Sequence, residues 1–539
     1  MLNHFLSLSN DFCSSSRVIA TSFADLQRNI QPAKLFLSDP SGSTIVMATT
    51  STAPLLPWNW PMWWRVLILL NISFYNMMGN IFAAGISPLF GLLIAEFHCS
   101  VEEASRLATY ALLMLGLSNL IALPAAEYLG KRYTILISML IFLGSNIWAA
   151  KAQSYNSLLG SRFVGGISGG VIEALGPFIV SECFHEHQLA RAMVVYVGFL
   201  AAGSAVGPIV AGGIASGLNN WRWFFSLASI GTGINLLTCI LMLPETTHIT
   251  DDYASDVSGS MPEEEKGGAA YIETATERRN IDAALLRQNQ SLKSLWIERS
   301  FYTTVFYVKK RENPLKLFLQ PFLLLLAPPV LSTTLVFGLT IGWTVLMSII
   351  VSNVYSAPPH LWQAWQIGLI NFGPLVGLLI GLPLGGMIAD ILSKTALRRS
   401  CGEHDPRSRL PAVIIGGLIS PAGCLVIGFT FQRNLHWIGI AVGWGMLAFG
   451  LTASANVLLT YSVDCFRMRA GHVGVLVNVV KNSLAFGVSF ASMEWYNEVG
   501  PAEQFGTMAG LLWAAYLCII PIYLYSHSLV RFSESKILL

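Results

Sequence analysis

Twelve apolar runs, each long enough to cross a bilayer, constrain this chain more than any other feature. A membrane-spanning helix needs about 20 apolar residues, because the hydrocarbon core is about 30 Å thick. The runs, called helices 1 to 12 here, cover residues 66–95, 107–126, 133–152, 157–181, 191–216, 222–243, 321–352, 365–392, 410–431, 436–460, 472–493 and 507–530. The sequence therefore predicts an all-α polytopic membrane protein with six spanning helices on each side of a polar stretch.

The composition supports lipid as the main solvent of the chain. Only 12% of the 539 residues are charged and 53% are hydrophobic, whereas a soluble domain carries about 25% charged residues. The net charge of +2 gives no basic field for nucleic acid. The eight cysteines are scattered singly, and no spacing indicates a metal site or a disulfide framework. We expect a lipid bilayer and a small-molecule substrate as partners, no nucleic acid, no metal and a monomeric chain.

The basic residues predict the orientation of the chain, because cytosolic loops carry an excess of Lys and Arg. Of the 32 Lys and Arg residues, four fall in loops on one side and two within helices, which leaves 26 on the side that holds both termini. Both termini are therefore predicted to be cytosolic, and the plasma membrane is the expected location.

The polar segments divide the chain into five parts. Residues 1–57 are rich in Ser and Thr and lack the features of a signal peptide, so they are predicted to form a disordered cytosolic tail. Residues 58–243 hold the first six-helix bundle and residues 321–530 hold the second. Residues 244–320 are predicted to be a cytosolic linker loop, and residues 531–539 a short cytosolic tail.

The two bundles repeat each other at the ends of equivalent helices. Glu127 precedes Lys131 by four residues after helix 2, and Asp390 precedes Lys394 by four residues at the end of helix 8. Helix 4 ends in Glu-Cys-Phe, and helix 10 ends in Asp-Cys-Phe. Because many transporters are built from structural repeats, these matches predict two pseudo-symmetric bundles.

These landmarks resemble the signatures of the major facilitator superfamily over about residues 58–532. The family's motif between helices 2 and 3 is matched at Glu127, Gly130, Lys131 and Arg132, with Leu123 where a Gly is expected. The segments around helix 6 and within helix 11 resemble the fungal branch near the twelve-span drug:proton antiporters, which includes organic-cation and polyamine permeases.

The resemblance implies a conformational latch at the cytosolic edge, where charges pair and separate as the two bundles rock. Its candidate residues are Glu127, Gly130, Lys131, Arg132, Asp390 and Lys394. The alternative is a simple anchor that follows the positive-inside rule, which explains Lys131 and Arg132 but not Glu127.

Helix 5 carries Gly203, Gly207, Pro208 and Gly212, a series similar to the antiporter motif of the family, with Ala211 in place of a Gly. The resemblance implies proton antiport without a leak. The alternative is packing alone, because small residues at this spacing let helix backbones approach closely.

Ionisable residues at membrane depth are candidates for function, since burying a charge there costs about 2.5 to 3.5 kcal/mol or more. Glu173 lies near the middle of helix 4 and Lys481 near the middle of helix 11. Glu173 is the leading candidate for binding a proton or a cationic group, and a structural ion pair is the alternative. For Lys481 the alternative is a side chain that snorkels or bridges helices.

The remaining candidates are polar residues in helices 1, 4 and 11. Arg162 is eleven residues from Glu173, which corresponds to a rise of about 16 Å, so the two cannot pair. Arg162 is expected near the outer mouth, where it meets a carbonyl or a polar group of helix 1. Asn76 and Asn80 in helix 1, and Asn478 and Asn482 in helix 11, either line a cavity or hold helices together.

The sequence thus predicts a secondary transporter that is not an enzyme, needs no cofactor and uses the proton gradient. Efflux of a drug, toxin or secondary metabolite is the preferred hypothesis, and uptake of an organic cation or polyamine is the alternative. A nutrient sensor with a transporter fold is a weaker third hypothesis, because such sensors usually carry long cytosolic extensions and the tail after Val530 has only nine residues.

Overall fold

Twelve helices in the structure are long and apolar enough to cross a membrane, as the sequence predicts. The structure is a computed structural model, and it describes residues 36–38, 44–46, 57, 60–184, 186–246, 318, 321–399, 406–466 and 470–536. The spanning helices are labelled α1 to α12, and they correspond in order to the predicted helices 1 to 12.

The first half contains α1 to α6. Helix α1 runs over Met62–Ala84 and continues through a 3₁₀ turn at Ser87–Leu89 into Phe90–Phe97. The other five are α2 (Val101–Leu129), α3 (Lys131–Ala150), α4 (Tyr155–Cys183), α5 (Glu186–Leu218) and α6 (Arg222–Met242).

The second half contains α7 to α12, and several of these helices are interrupted. The intact helices are α7 (Pro328–Ser356), which follows a 3₁₀ turn at Leu324–Leu326, and α11 (Ala470–Phe490). The interrupted helices are α8 (Ala364–Ile370 and Phe372–Arg399), α9 (3₁₀ Pro406–Ala412, then Val413–Gln432), α10 (Ile438–Gly450, a π turn at Leu451–Ala455, then Asn456–Cys465) and α12 (Pro501–Leu517 and Ile519–Lys536). A short helix, Ser492–Val499, lies between α11 and α12.

Most helices extend beyond the predicted apolar runs, and in some of them a polar cap marks the added turn. Helix α2 is an example, since it begins at Val101 rather than near residue 107. The Ser100 hydroxyl accepts a hydrogen bond from the Glu103 amide at 3.1 Å, and the Glu103 carboxylate accepts one from the Ser100 amide at 2.8 Å. This reciprocal capping box satisfies two amides that would otherwise lack partners at the helix start.

Only parts of the predicted tail and linker are described. Strand β1 (Phe36–Ser38) pairs antiparallel with β2 (Thr44–Val46) in a short ribbon that the sequence analysis did not predict. The rest of the predicted N-terminal tail, except residue 57, lies outside the described residues, as do nearly all of the predicted linker and the last three residues of the chain.

The helices run alternately up and down, so their ends form two faces. We call the face with Lys131, Arg132 and Arg409 the basic end, and the face with Ser100, Ser154 and Asn220 the far end. The two halves meet where α2 packs on α11, where α5 packs on α8, and where α4 touches α11. A buried apolar cluster that includes Ala201 of α5 and Phe337 of α7 lies between the halves.

The glycine-rich run of α4 explains how the first half is packed. A Cβ added at Gly170 would lie 2.1 Å from the Leu115 carbonyl oxygen, and one at Gly166 would lie 2.5 Å from the Ala111 carbonyl oxygen. Helices α4 and α2 are therefore in backbone contact, which only glycine allows at this distance. Close approach of this kind is how helices associate in lipid, where the hydrophobic effect between them is absent.

Replacing Gly170 by Ala is expected to lower stability by about 1 to 3 kcal/mol, because the added methyl group overpacks a rigid backbone contact. The matched control is Gly144→Ala in α3, where a Cβ meets no atom within 4 Å. That control should leave stability unchanged or raise it by up to about 1 kcal/mol through helix propensity. Thermal unfolding of the purified protein in detergent measures both, and equal melting temperatures for the two variants would contradict the packing described here.

Candidate functional site

A buried ion pair joins the two halves at mid-depth. The Lys481 ammonium of α11 lies 3.3 Å from the Glu173 carboxylate of α4, and neither side chain is more than 3% exposed. The sequence places both residues near the middle of their helices, and the structure makes each the partner of the other. An unpaired charge at this depth would be costly, so the pairing explains how both are accommodated.

Two asparagines of α11 complete the contact with Glu173. Asn482 Nδ2 donates to the Glu173 carboxylate at 3.2 Å, and Asn478 Nδ2 donates to the Glu173 carbonyl oxygen at 3.1 Å. Residues three and four positions apart share one face of a helix, so Asn478, Lys481 and Asn482 all face α4. Four of the predicted site residues therefore come together, two of them charged, at a contact between the halves.

Aromatic residues that the sequence analysis did not single out border this ion pair. The Lys481 ammonium lies 5.5 Å from the centre of the Phe337 ring of α7, a distance at which the ring face attracts a cation. The Tyr196 hydroxyl donates to the Ile172 carbonyl at 2.7 Å, next to Glu173. One aromatic residue within an apolar run gives no sequence signal, so neither neighbour could be found without the packing of the helices.

Arg162 has a separate structural environment. It is fully buried, and its guanidinium donates to three carbonyl oxygens: Leu107 of α2 at 2.9 Å, Phe82 of α1 at 2.5 Å and Ala83 of α1 at 3.1 Å. The predicted contact with a helix 1 carbonyl is present. Arg162 thus ties α1, α2 and α4 together where α1 is about to break.

Asn76 and Asn80 lie apart from the ion pair. Asn80 Nδ2 donates to the Asn76 carbonyl oxygen at 3.0 Å, within α1. A Cβ added at Gly203 of α5 would lie 3.0 Å from Asn80 Cβ, so this face of α1 packs on α5. Asn76 is fully buried, and its Nδ2 has no hydrogen-bond partner within the described residues.

The charged residues at the basic end include an ion pair within the first half. Glu127 is exposed at the end of α2, and the Lys131 ammonium pairs with Glu182 at the end of α4. Lys131 follows the turn between α2 and α3, where Gly130 has φ +85°. A latch role for this motif stays a prediction.

Glu245, just after α6, binds the start of α3. Its carboxylate accepts hydrogen bonds from the amides of Lys131 at 3.3 Å and Arg132 at 3.0 Å. A Cβ at Gly130 would lie 2.7 Å from a Glu245 oxygen, so the site needs glycine there. A carboxylate at a helix N-terminus is stabilised by the free amides and the helix dipole, and this gives Glu245 a role that the sequence analysis missed.

The second half repeats this arrangement at the same end. Arg409, in the 3₁₀ segment that begins α9, pairs with Asp464 at the end of α10 at 2.8 Å, as Lys131 pairs with Glu182 at the end of α4. Lys394 is exposed at the end of α8, and the side chain of Asp390 lies outside the described part of the chain. Each of these two ion pairs joins helices of one half and does not cross to the other.

The glycines of the helix 5 motif pack against neighbouring backbones. A Cβ at Gly203 would lie 2.6 Å from the Met77 carbonyl oxygen of α1, and one at Gly207 would lie 3.1 Å from Ile81 Cα. A Cβ at Gly212 would lie 2.4 Å from the Ala364 carbonyl oxygen of α8, in the other half. The carbonyl of Pro208 faces Gly368 of α8 at the same contact. The small residues of this motif therefore allow close helix packing, as the packing alternative expects.

Hydrogen bonds between the halves are concentrated toward the far end. Ser348 of α7 donates to the Ser87 hydroxyl at 2.7 Å, and Ser352 donates to the Ser87 carbonyl. Asn353 Nδ2 donates to the Ser105 hydroxyl of α2 at 3.3 Å. The described conformation is therefore closed at the far end, with the Glu173–Lys481 pair enclosed beneath.

Two matched six-helix halves around a buried charged site define a polytopic membrane protein of the transporter class. The Major Facilitator Superfamily model matches residues 67–490. The chain therefore belongs to the Major Facilitator Superfamily.

Curated fungal proteins and solved structures agree with this membership. The chain is 27% identical to MFS transporter cpaT of Aspergillus oryzae over 83% of this chain and 84% of that protein. It is 25% identical to efflux pump FUBT of Fusarium oxysporum over 82% of this chain and 68% of that protein. The solved structure of the proton:xylose symporter XylE with 6-bromo-6-deoxy-D-glucose has a TM-score of 0.59 and 13% identity, over 86% of this chain and 97% of that one, and supports the fold alone.

Lys481→Met is expected to destabilise the protein by about 3 to 5 kcal/mol, because it leaves a buried carboxylate without its counter-ion. Adding Glu173→Gln to that variant should restore most of the loss, since no uncompensated charge remains. A double-mutant cycle followed by thermal unfolding measures this coupling. The exposed pair Glu102–Arg106, at 3.9 Å, is the matched control and should couple by at most about 1 kcal/mol. Equal coupling in the two cycles would contradict a tightly buried pair.

Proposed function

We propose that this chain exports a small organic solute in exchange for protons. The observation that carries the proposal is the buried ion pair between Glu173 and Lys481, which joins α4 of the first half to α11 of the second. A carboxylate at such a contact can control movement between the halves through its charge. In this proposal Glu173 binds the proton, and the solute binds when the ion pair is open.

The charge of Glu173 determines how strongly α11 is held. While the carboxylate is ionised, it attracts the Lys481 ammonium and accepts a hydrogen bond from Asn482. When a proton neutralises Glu173, the Coulombic attraction to Lys481 is lost, and in a low-dielectric interior this is a large change. Protonation is therefore expected to loosen the contact between the halves. Since no resident cofactor is invoked, the proton gradient supplies the driving force.

Two further observations support export. The helix 5 glycines pack against α1 and α8 at distances that leave no room for side chains, so this part of the contact is tight enough to limit proton leak. The relatives include a protein named as an efflux pump, of which the match covers 68%. A drug, toxin or secondary metabolite is the proposed class of solute.

The second candidate function is proton-coupled uptake of an organic cation or polyamine. The Lys481 ammonium now lies between the Glu173 carboxylate and the face of the Phe337 ring. A cationic solute that displaced it would find the same two attractive groups. The competition with Lys481 would weaken the binding of such a solute, and for this reason export remains the first candidate.

We also propose that both termini lie in the cytosol, that the chain acts as a monomer and that the membrane is the plasma membrane. The basic end, which carries Lys131, Arg132 and Arg409, would then face the cytosol in agreement with the positive-inside rule. The described conformation, closed at the far end, would be closed toward the outside.

Glu173→Gln is expected to abolish solute transport driven by a pH gradient when flux is compared for equal amounts of folded protein, since the single variant also leaves the buried Lys481 without its counter-ion. The amide keeps the size of the side chain but cannot exchange a proton. Flux into or out of proteoliposomes with an imposed pH gradient measures the effect, and Glu503→Gln, at an exposed position of α12, is the control. Unchanged pH-driven flux in Glu173→Gln would remove this residue from the coupling mechanism.

The direction of transport separates the two candidate functions. Cells that overexpress the protein should resist toxic organic compounds and lose a preloaded labelled solute faster than cells with the Glu173→Gln variant. Under the alternative, the same cells would instead accumulate labelled polyamine or organic cation. A growth panel of toxic compounds and polyamines, with and without the protein, tests both resistance and uptake. Accumulation of solute without export would overturn the first candidate function.

A further inference from the structure

A cleft at the far end opens between α2 of the first half and α11 with its following short helix in the second. Its outer chamber has a volume of about 300 Å³, and a smaller inner chamber of about 50 Å³ adjoins it. Both chambers share Glu102, Met493 and Glu494 as lining residues. The inner one has room for a small polar group, and the outer one has room for the rest of a small organic molecule.

The charges around the cleft favour a cation. Glu102, Glu494 and Glu498 line it, against one basic residue, Arg106, so the formal charge of these four side chains is −2. In the part of the chain that the structure describes, no three acidic, His or Cys side chains converge closely enough to hold a metal ion. The size of the outer chamber and this spacing of the carboxylates indicate an organic cation rather than a bare metal ion.

An unpartnered hydroxyl in the inner chamber is an independent sign of a ligand. Ser489 of α11 lines this chamber, is 1% exposed, and its Oγ has no hydrogen-bond partner within the described residues. Buried polar atoms are nearly always satisfied, so each exception calls for an explanation. A polar group of a bound molecule would supply the missing hydrogen bond.

An aromatic face lies beside the same chamber. The Phe490 ring lines it, and the Arg106 guanidinium is 5.7 Å from the ring centre. The ring face therefore already attracts one cation, and an ammonium group is attracted by aromatic faces in the same way. Carboxylates, an aromatic ring and an unpaired hydroxyl together provide the groups that recognise an ammonium ion carrying a hydroxyl or amine.

We propose that this cleft binds a small organic ammonium ion, and that the bound ion bridges α2 and α11 to hold the far end closed. The lining residues come from both halves, and Ser105 in the inner chamber already receives the hydrogen bond from Asn353 across the halves. Occupation of the cleft would add contacts to that closure. The site is separate from Glu173 and does not depend on the direction or coupling of transport.

Choline is a suitable probe, and 3,3-dimethylbutan-1-ol, its uncharged isostere, is the matched control ligand. Binding is measured by isothermal titration calorimetry on the full-length Glu173→Gln/Lys481→Met double variant in lipid nanodiscs at constant ionic strength, so that the ion-pair site does not contribute and no uncompensated buried charge remains. We expect choline to bind and the isostere to bind at least about fivefold more weakly. Equal binding of the two, or equal displacement of choline by Na⁺ at the same concentration, would overturn the proposal.

Variants of the cleft make the test specific to this site. Because exposed carboxylates contribute modestly, Glu494→Gln and Glu498→Gln should each weaken choline binding about two- to fivefold, while Glu503→Gln, exposed but outside the lining, should have no effect. Ser489→Ala should weaken binding about threefold through the lost hydrogen bond. Elution profile and melting temperature without ligand show whether each variant is folded. If folded Glu494→Gln and Glu503→Gln bind choline equally, the cleft is not the site.

Discussion

The contact between Glu173 and Lys481 is the interaction on which the account of this protein depends. It is the buried ion pair that crosses between the two six-helix halves in the described part of the chain. A charge pair at this depth is weak evidence for stability, because desolvation offsets much of the attraction. Its placement between the halves is better explained by control of their movement. One proton on Glu173 is enough to change the strength with which α4 holds α11.

Other contacts hold the helices together around this ion pair. Backbone contacts at small residues hold the helices together within each half, and the buried Arg162 does so in the first half. At the basic end, the ion pairs Lys131–Glu182 and Arg409–Asp464 each stay within one half. Toward the far end, serine and asparagine side chains join α7 to the first half. In the described part of the chain, these ion pairs therefore join helices of one half, and the serine and asparagine hydrogen bonds cross between the halves.

The sequence predicts the fold because lipid permits few solutions. Backbone groups in hydrocarbon must be satisfied within helices, so twelve apolar runs determine twelve spans. Depth in the membrane also singles out Glu173 and Lys481. Their pairing depends on the rotation of α4 and α11 and on the docking of the halves, which no local pattern encodes. The partner of Lys131, which is Glu182 at the end of α4, likewise depends on how α3 and α4 pack together.

Protonation of Glu173 is expected to loosen the contact between the halves. Spin labels on Ser181 of α4 and Lys394 of α8, exposed positions at the basic end of opposite halves, test this when their separation is measured by double electron–electron resonance as a function of pH. We expect a distance distribution that shifts as pH falls in the wild-type background and no longer responds in Glu173→Gln. The same pH-dependent shift in both proteins would contradict it.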